Sequence, residues 1–215
     1  IGKIPKHWII RKLKHISKVQ LSSVDRHEHD DELRVNICHY PDVYKNEYIS
    51  EKTKLPFGTC SVNEFKKFSL IDGDILLTKD SESPEDIGIP ALVKGELVKT
   101  VCGYHLGIVR VLSDECHSDY IYRFIESNCA RDYFFTESSG ITRFGLGKSS
   151  IENLSIPCPP KSEQVEISKK IKMMSFKSSE ISLKLLKKIS LLKEYRQSLI
   201  SSVITGQVRV LEKMV

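Results

Sequence analysis

Apolar positions between Ser162 and Val203 recur at alternating steps of four and three: Ile167, Ile171, Met174, Ile181, Leu185, Leu192, Tyr195 and Leu199. Ser178 and Lys188 occupy the two interrupted places of this seven-residue rhythm. The stretch follows Pro159-Pro160 and holds neither Pro nor Gly before Gly206. Such spacing lays one narrow apolar seam along a helix, the pattern of a coiled coil rather than of a helix buried all round. With about 40 residues rising roughly 1.5 Å each, the predicted rod is about 60 Å long. No helix buries its own seam, so the pattern calls for a partner helix. The same periodicity also admits a helix folded back on its own domain.

Upstream of Pro159 the periods are shorter and change often. Residues 5–20 read as an extended entry and a short basic amphipathic segment, with Trp8 as a packing anchor. Leu33 to Tyr40 predicts a strand closed by a turn at Pro41-Asp42. Ser61-Val-Asn-Glu64 is a capping box that opens a helix with Phe65 and Phe68 on its inner face. Leu70 to Lys79 reads as a tight turn at Asp72-Gly73 feeding a buried strand, and the polar loop Asp80 to Asp86 follows. Residues 89–94 and 97–112 supply two strands, the second interrupted at Gly103-Tyr104-His105. Ser118 caps a helix predicted to reach about Phe135 through Ile121, Phe124, Ile125 and Tyr133. A loop over 140–147, a second capping box at Ser149-Ser-Ile-Glu152 and a strand from Leu154 to Cys158 complete the series. Strands and helices mix without strict alternation. The expected fold is therefore α+β, a mixed-sheet globular domain over 1–160 followed by one long coiled-coil-type helix within 161–215.

Charge alters this picture by its location. The net charge is +5, yet residues 161–215 hold 12 Lys and Arg against 5 Asp and Glu, and residues 1–160 hold 21 against 23. Basicity belongs to the helix, and net charge alone supports no nucleic-acid binding by the globular part. Hydrophobic residues make up 40% of the 215, enough for a core, and no apolar run approaches the roughly 20 residues of a membrane span. Six cysteines without a C-x-x-C pair read as reduced, buried thiols of a cytoplasmic protein. The chain opens at Ile1 without Met, which reads as a fragment or a processed chain. Its first residues do not form a signal peptide.

The chain holds fragments of several catalytic signatures. Gly145-Leu-Gly147-Lys148-Ser149 resembles the end of a phosphate-cradling loop, but Thr142 stands where the first Gly is needed, and a β-branched residue disfavours that turn. An amino-methyltransferase motif needs an amide or carboxylate before its Pro pair and an aromatic after it; Cys158-Pro-Pro-Lys161 has neither. Pro41-Asp42 with Glu64-Phe-Lys66 formally fits a Mg²⁺ nuclease of the PD-(D/E)xK type, although turn and capping box claim the same carboxylates. His27-x-His29 lies beside carboxylates but lacks further ordered ligands, and a solvated loop accounts for it. No metal site and no catalytic residue is expected.

Four stretches, in order, resemble the specificity (S) subunit of type I restriction–modification enzymes. Ile1-Gly-Lys-Ile-Pro-Lys-His-Trp8 with Arg11-Lys-Leu-Lys-His-Ile16 resembles the entry to a target recognition domain. Leu70 to Lys79 resembles that domain's Gly-Asp-Ile-Leu strand, Gly140 to Gln164 its closing segment, and Leu192 to Val208 the end of the family's conserved helix. The resemblance implies a non-catalytic DNA-reading module that recognises half of a split double-stranded target. It implies modification (M) subunits that bind S-adenosylmethionine and methylate adenine, and restriction (R) subunits that translocate and cleave. S subunits usually carry two recognition domains and two antiparallel helices. One domain and one helix match the C-terminal half, or a half-length subunit that pairs with a copy of itself. A DNA-independent coiled-coil adaptor is the structural alternative.

Loop position and chemistry nominate the DNA-contact residues. Arg143, Lys148 and Ser149 lie on a Gly-punctuated loop before a helix start. Lys79, Ser81 and Ser83 follow the buried strand, and Tyr104 and His105 interrupt another. Each group also fits a structural role as a connector or in packing. Arg143 is the first choice for a base edge, where a bidentate contact carries roughly 1–3 kcal/mol of discrimination.

Overall fold

The computed structural model describes residues 2–208. The chain enters through β1 (Ile9–Lys12), a 3-10 turn over Leu13–His15, and β2 (Ser17–Leu21). Next come β3 (Leu33–Cys38), α1 (Tyr40–Lys45), β4 (Tyr48–Ile49), β5 (Phe57–Cys60) and α2 (Val62–Phe68). Strands β6 (Ile75–Thr78), β7 (Asp80–Ser81), β8 (Pro90–Val93), β9 (Thr100–Cys102) and β10 (Leu106–Val111) follow. The last elements are α3 (Ser118–Glu126), α4 (Asn128–Glu137), β11 (Phe144–Gly145), α5 (Lys148–Glu152), β12 (Ser155–Cys158) and α6 (Lys161–Ile204).

Period-two alternation places two cores on opposite faces of one five-stranded sheet, ordered β2-β10-β6-β8-β4. On β6, Ile75 and Leu77 point into one core and Leu76 into the other; on β10, Val109 and Ile108 divide the same way, as do Leu92 and Ala91 on β8. The first core is closed by Tyr120, Ile121 and Ile125 of α3, Phe134 of α4 and Ile151 of α5. The second is closed by Val35 and Ile37 of β3, Val101 of β9 and Phe68 of α2. Strands β5, β3 and β9 form their own sheet, in which β3 runs parallel to β9 and antiparallel to β5. Strand β1 pairs antiparallel with β12, from Ile9 opposite Cys158 to Lys12 opposite Ser155. The architecture is α+β with mixed sheets and a long C-terminal helix.

The capping box at Ser61 forms as expected: Ser61 Oγ accepts from Glu64 N (3.2 Å), and the Glu64 carboxylate accepts from Ser61 N (3.2 Å). Gly73 takes the positive φ of 85° that the turn before β6 requires. Three local expectations are corrected. Pro41 and Asp42 open helix α1 instead of a turn, because Asp42 Oδ2 accepts from His39 N (2.8 Å) and Pro41 needs no N–H in the first turn. The single helix from Ser118 to Phe135 is two, divided at Ser127 (φ −68°, ψ 154°), whose hydroxyl donates to Phe124 O (2.6 Å) and whose carbonyl accepts from Ala130 N (3.1 Å). Ser149 is not a cap, since α5 is capped by Gly147, whose carbonyl accepts from Ser150 N (3.1 Å). Of the cysteines expected to be buried, Cys129 is exposed on α4 and the other five are buried.

Helix α6 begins where the sequence divides, and two compact units separate at residues 168 and 169. The first turns of α6 belong to the larger unit through Gln164, which has 0% exposure. Its Oε1 accepts from His117 N (2.9 Å), and its Nε2 donates to Glu115 O (3.0 Å) and Pro159 O (2.8 Å). Trp8 Nε1 donates to Glu163 Oε1 (3.1 Å), so the residue predicted as a packing anchor holds the same turn by a hydrogen bond. Beyond Ser168, α6 continues unbroken to Ile204, with Ile171, Met174, Ile181, Leu185, Leu192, Tyr195 and Leu199 exposed along it. Among the described residues, no helix is long and apolar enough to cross a membrane.

Candidate nucleic-acid interface

Strand β6 is buried over its whole length, and the chain turns polar immediately after it. Lys79 N donates to His105 O (3.0 Å), and Lys79 O accepts from Leu146 N (2.8 Å), which fixes the start of the loop between two other segments. The next residues form the two-residue ladder β7–β11, with Ser81 opposite Phe144 and Asp80 opposite Gly145. That ladder joins the loop after β6 to the loop after α4. Ser139 and Gly145 close the second loop with a reciprocal pair of backbone hydrogen bonds (3.1 and 2.9 Å). Gly140 at φ 144° lets the loop turn this tightly, because a Cβ there would lie 1.9 Å from Arg143 O. Arg143 is thus presented by a short, pinned loop.

These loops face an open cleft of about 590 Å³ lined by Arg26, Tyr40, Asp80, Ser81, Glu82, Ser83, Asp86, His105 and Arg143. The Lys79 ammonium beside it is 11% exposed, 2.9 Å from Asp80 Oδ2 and 4.5 Å over the Tyr104 ring. Asp80 Oδ2 is also 3.3 Å from His105 Nδ1, and the His105 ring stands edge-on to Tyr104 at 4.9 Å. Ser81 Oγ accepts from Ser83 N (3.2 Å) and lies 3.5 Å from the Tyr40 hydroxyl. Ser83 Oγ accepts from Glu85 N (3.3 Å) and so caps the 3-10 turn over Pro84–Asp86. Tyr40 stacks on Tyr44 with centroids 5.8 Å apart, and the Tyr44 hydroxyl donates to Asp86 Oδ1 (3.2 Å). Next to Tyr40, burial lowers the His39 pKa, Arg26 and His105 lower it further, and Asp42 opposes them.

The fold therefore gathers Lys79, Ser81, Ser83, Tyr104, His105 and Arg143 at or beside one cleft. It does not bring Lys148 and Ser149 to that cleft: both lie on the single turn of α5, where Lys148 Nζ is 3.4 Å from Glu152 Oε1. Sequence reasoning missed Arg26, Tyr40, Asp80, Glu82 and Asp86. Arg26 sits next to the solvated His27-x-His29 loop, and only the tertiary fold brings it to the same cleft as Arg143. Formal charge in the cleft is mixed, with Asp80, Glu82 and Asp86 set against Arg26 and Arg143.

The nuclease carboxylates are committed elsewhere. Asp42 caps α1, and Glu64 accepts from Ser61 and Ser23, whose hydrogen bonds outweigh burial and leave its carboxyl below the usual range. Among the described residues no group of three or more His, Cys, Asp or Glu is placed to hold a metal ion.

The profile of the type I restriction modification DNA specificity domain matches residues 5–191. The chain belongs to this family. It is 26% identical over 175 residues to a putative type I restriction enzyme MjaX specificity subunit of Methanocaldococcus jannaschii, covering 79% of this chain and 40% of that protein. It is 29% identical over 175 residues to the type I restriction enzyme MjaIX specificity subunit of the same organism, covering 78% and 38%. The chain thus spans less than half the length of these curated relatives. Among solved structures, the HsdS subunit from Thermoanaerobacter tengcongensis is similar at a TM-score of 0.62 and 12% identity, covering 96% of this chain and 47% of that one. A chain from a structure of type I R-M complex assembly and conformational transition gives 0.64 at 14% identity, covering 94% and 46%. These likenesses bear on fold, and they match the mixed sheets and long helix described above.

Proposed function

We propose that this chain reads one part of a bipartite double-stranded DNA target for a type I restriction–modification complex, and performs no bond-making chemistry itself. The observation that carries this reading is the convergence of three separate loops, bearing Ser81, His105 and Arg143, on one cleft in a chain of the DNA specificity family. Mixed charge suits base-edge readout. Arginine pairs with guanine O6 and N7, whereas carboxylates accept from the cytosine amino group. A phosphate clamp would be uniformly basic, so backbone affinity is assigned to the basic helix and to partner subunits. Lys148 and Ser149 are kept as backbone contacts at most.

The partners are M subunits, which supply S-adenosylmethionine and methylate adenine, with R subunits attached through that core. The exposed stripe of α6, Ile171 through Leu199, pairs with a second helix, either from the remainder of a longer S subunit or from another copy of this chain; Ile167, expected on the same seam, packs instead against the first core. A rod of 44 residues, about 66 Å at 1.5 Å per residue, would then set the distance between two half-sites.

The test is DNA binding by the chain assembled with M subunits, its site first identified by methylation mapping. Arg143→Ala is expected to weaken cognate binding 5- to 150-fold, about 1–3 kcal/mol, and to relax discrimination at one position. Lys148→Ala should weaken all sequences alike, if any. Equal loss of cognate and random DNA binding in Arg143→Ala would remove the cleft from base readout.

A further inference from the structure

Five of the six cysteines are buried, but they are not chemically equivalent. Cys38 and Cys102 lie opposite each other on β3 and β9 with no exposure, and burial pushes both thiols far up. Cys60 is raised to about 11 by burial. These three are inert packing groups. Cys116 and Cys158 differ, since both line one surface cavity of about 450 Å³ beside Arg11, Glu115 and Pro159. They are 7% and 5% exposed, so a small solute in that cavity reaches them. Their backbones are held together by one nitrogen, since Gln164 Nε2 donates to both Glu115 O (3.0 Å) and Pro159 O (2.8 Å), the residues next to Cys116 and Cys158. The nearby Cys158 side chain, with Ser113 and the Arg11 guanidinium, outweighs burial and brings Cys116 down to about 7. Cys158 Sγ donates to Ile156 O (3.6 Å) and so holds its proton, and Cys116 and burial push its pKa up.

The surroundings are structural and not catalytic. Cys116 ends the turn begun at Ser113, whose carbonyl accepts from Cys116 N (3.1 Å). The residues on either side of it, Glu115 and His117, are both held through their backbone by Gln164. Cys158 is the last residue of β12, directly before Pro159-Pro160 and the start of α6. We propose that Cys116 and Cys158 form a reversible disulfide that fastens the loop before α3 to the strand delivering the chain into α6.

Hydrogen peroxide supplies the oxidising equivalents. The Cys116 thiolate attacks one peroxide oxygen, the O–O bond breaks, and Cys116 sulfenic acid forms as hydroxide leaves. Cys158 gives its proton to that hydroxide, making water. Its sulfur then attacks the Cys116 sulfur; the S–O bond breaks and the departing hydroxide takes a proton from solvent. The sum is two thiols and one peroxide to one disulfide and two waters. Dithiothreitol reverses it by thiol–disulfide exchange.

The experiment treats the purified, reduced full chain with sub-millimolar hydrogen peroxide, blocks free thiols by alkylation, and maps tryptic peptides by mass spectrometry. The expected result is a peptide pair joined through Cys116 and Cys158, absent after dithiothreitol, with Cys38, Cys60 and Cys102 still alkylated on unfolding. In Cys158→Ser, dimedone should instead trap a sulfenic acid on Cys116. The His117 amide should exchange with deuterium more slowly in the oxidised chain than in the reduced one. Finding Cys116 and Cys158 both alkylated while exposed Cys129 is oxidised overturns the proposal. So does Cys116 oxidised to sulfinic acid with Cys158 free, and unchanged exchange at His117 overturns the fastening. None of these readouts involves DNA, so failure here leaves the cleft assignment standing.

Discussion

The ammonium of Lys79 rests 4.5 Å over the ring of Tyr104, a residue 25 positions further along the chain. Strand pairing forces the meeting, because β6 and β10 run antiparallel with Thr78 opposite Leu106, so the residues just beyond each strand end lie side by side. Desolvation strengthens the attraction of a cation for a ring face, which is worth about 1 kcal/mol or somewhat more in such a setting. Tyr104→Leu keeps apolar bulk and removes the ring, and a loss of about 1 kcal/mol in urea unfolding is expected. Lys79→Met should cost less in that background than in the parent chain. A double-mutant cycle with no coupling would show that Asp80 alone holds the lysine.

His39 makes stability depend on pH. Its folded pKa lies below the ordinary 6.5 because burial, then Arg26 and His105, disfavour the imidazolium, with Asp42 opposing. Between the lowered folded value and 6.5 the unfolded chain binds more protons, so stability falls as pH drops through that window and levels off below it. Denaturant midpoints measured from pH 7.5 to about 5 should fall in the parent chain, and His39→Gln should flatten that slope. A slope unchanged by the substitution would assign the dependence to other groups.

Gln164 is expected to be the most sensitive residue of the head-proximal helix turn. Gln164→Leu preserves volume but leaves His117 N, Glu115 O and Pro159 O without the partner each has now. Unsatisfied buried groups of this kind cost about 1–3 kcal/mol each at most, and partial relaxation lowers the sum. A fall of at least 2 kcal/mol in unfolding free energy is expected, roughly the cost of one or two orphaned groups. Amide exchange should rise first over residues 113–117. A stability within 0.5 kcal/mol of the parent, the usual range for a surface change, would count against the role given to this side chain.

The long helix carries a finer prediction. At 3.6 residues per turn a strict seven-residue repeat drifts by about 20° per heptad. The exposed stripe that begins with Ile171, Met174, Ile181 and Leu185 therefore continues on a straight helix through Ile189, Leu192, Leu199 and Val203. Lys188 and Tyr195, placed on the seam by counting sevens, fall toward its margin. If the helix pairs, Ile189→Asp should abolish association in sedimentation equilibrium and Lys188→Asp should leave it nearly intact. The reverse order would mean a supercoiled seam in strict register.

Legibility from sequence followed the range of the interactions involved. The helix from Lys161 to Ile204, the Ser61–Glu64 box and the Asp72-Gly73 turn are set by neighbours within a few residues, and all three are as the pattern predicts. The errors arose where a short polar side chain could serve either a turn or a cap. Asp42 opens a helix, Ser127 divides one, and Ser149 lies inside one. The cleft was half legible, since its loops announce themselves by Gly and Ser, but no spacing rule brings Arg26 and Tyr40 to Arg143. That meeting depends on sheet order, in which β6 lies between β10 and β8, partners from later in the chain.

None of the side chains lining the cleft belongs to either apolar core, and the ladder between them is only two residues long on each strand. Substitutions at Ser81, Ser83 or Arg143 consequently leave both cores untouched, and under the proposed function they would change what is recognised. A lineage built this way can rewrite its vocabulary one letter at a time without relearning how to fold.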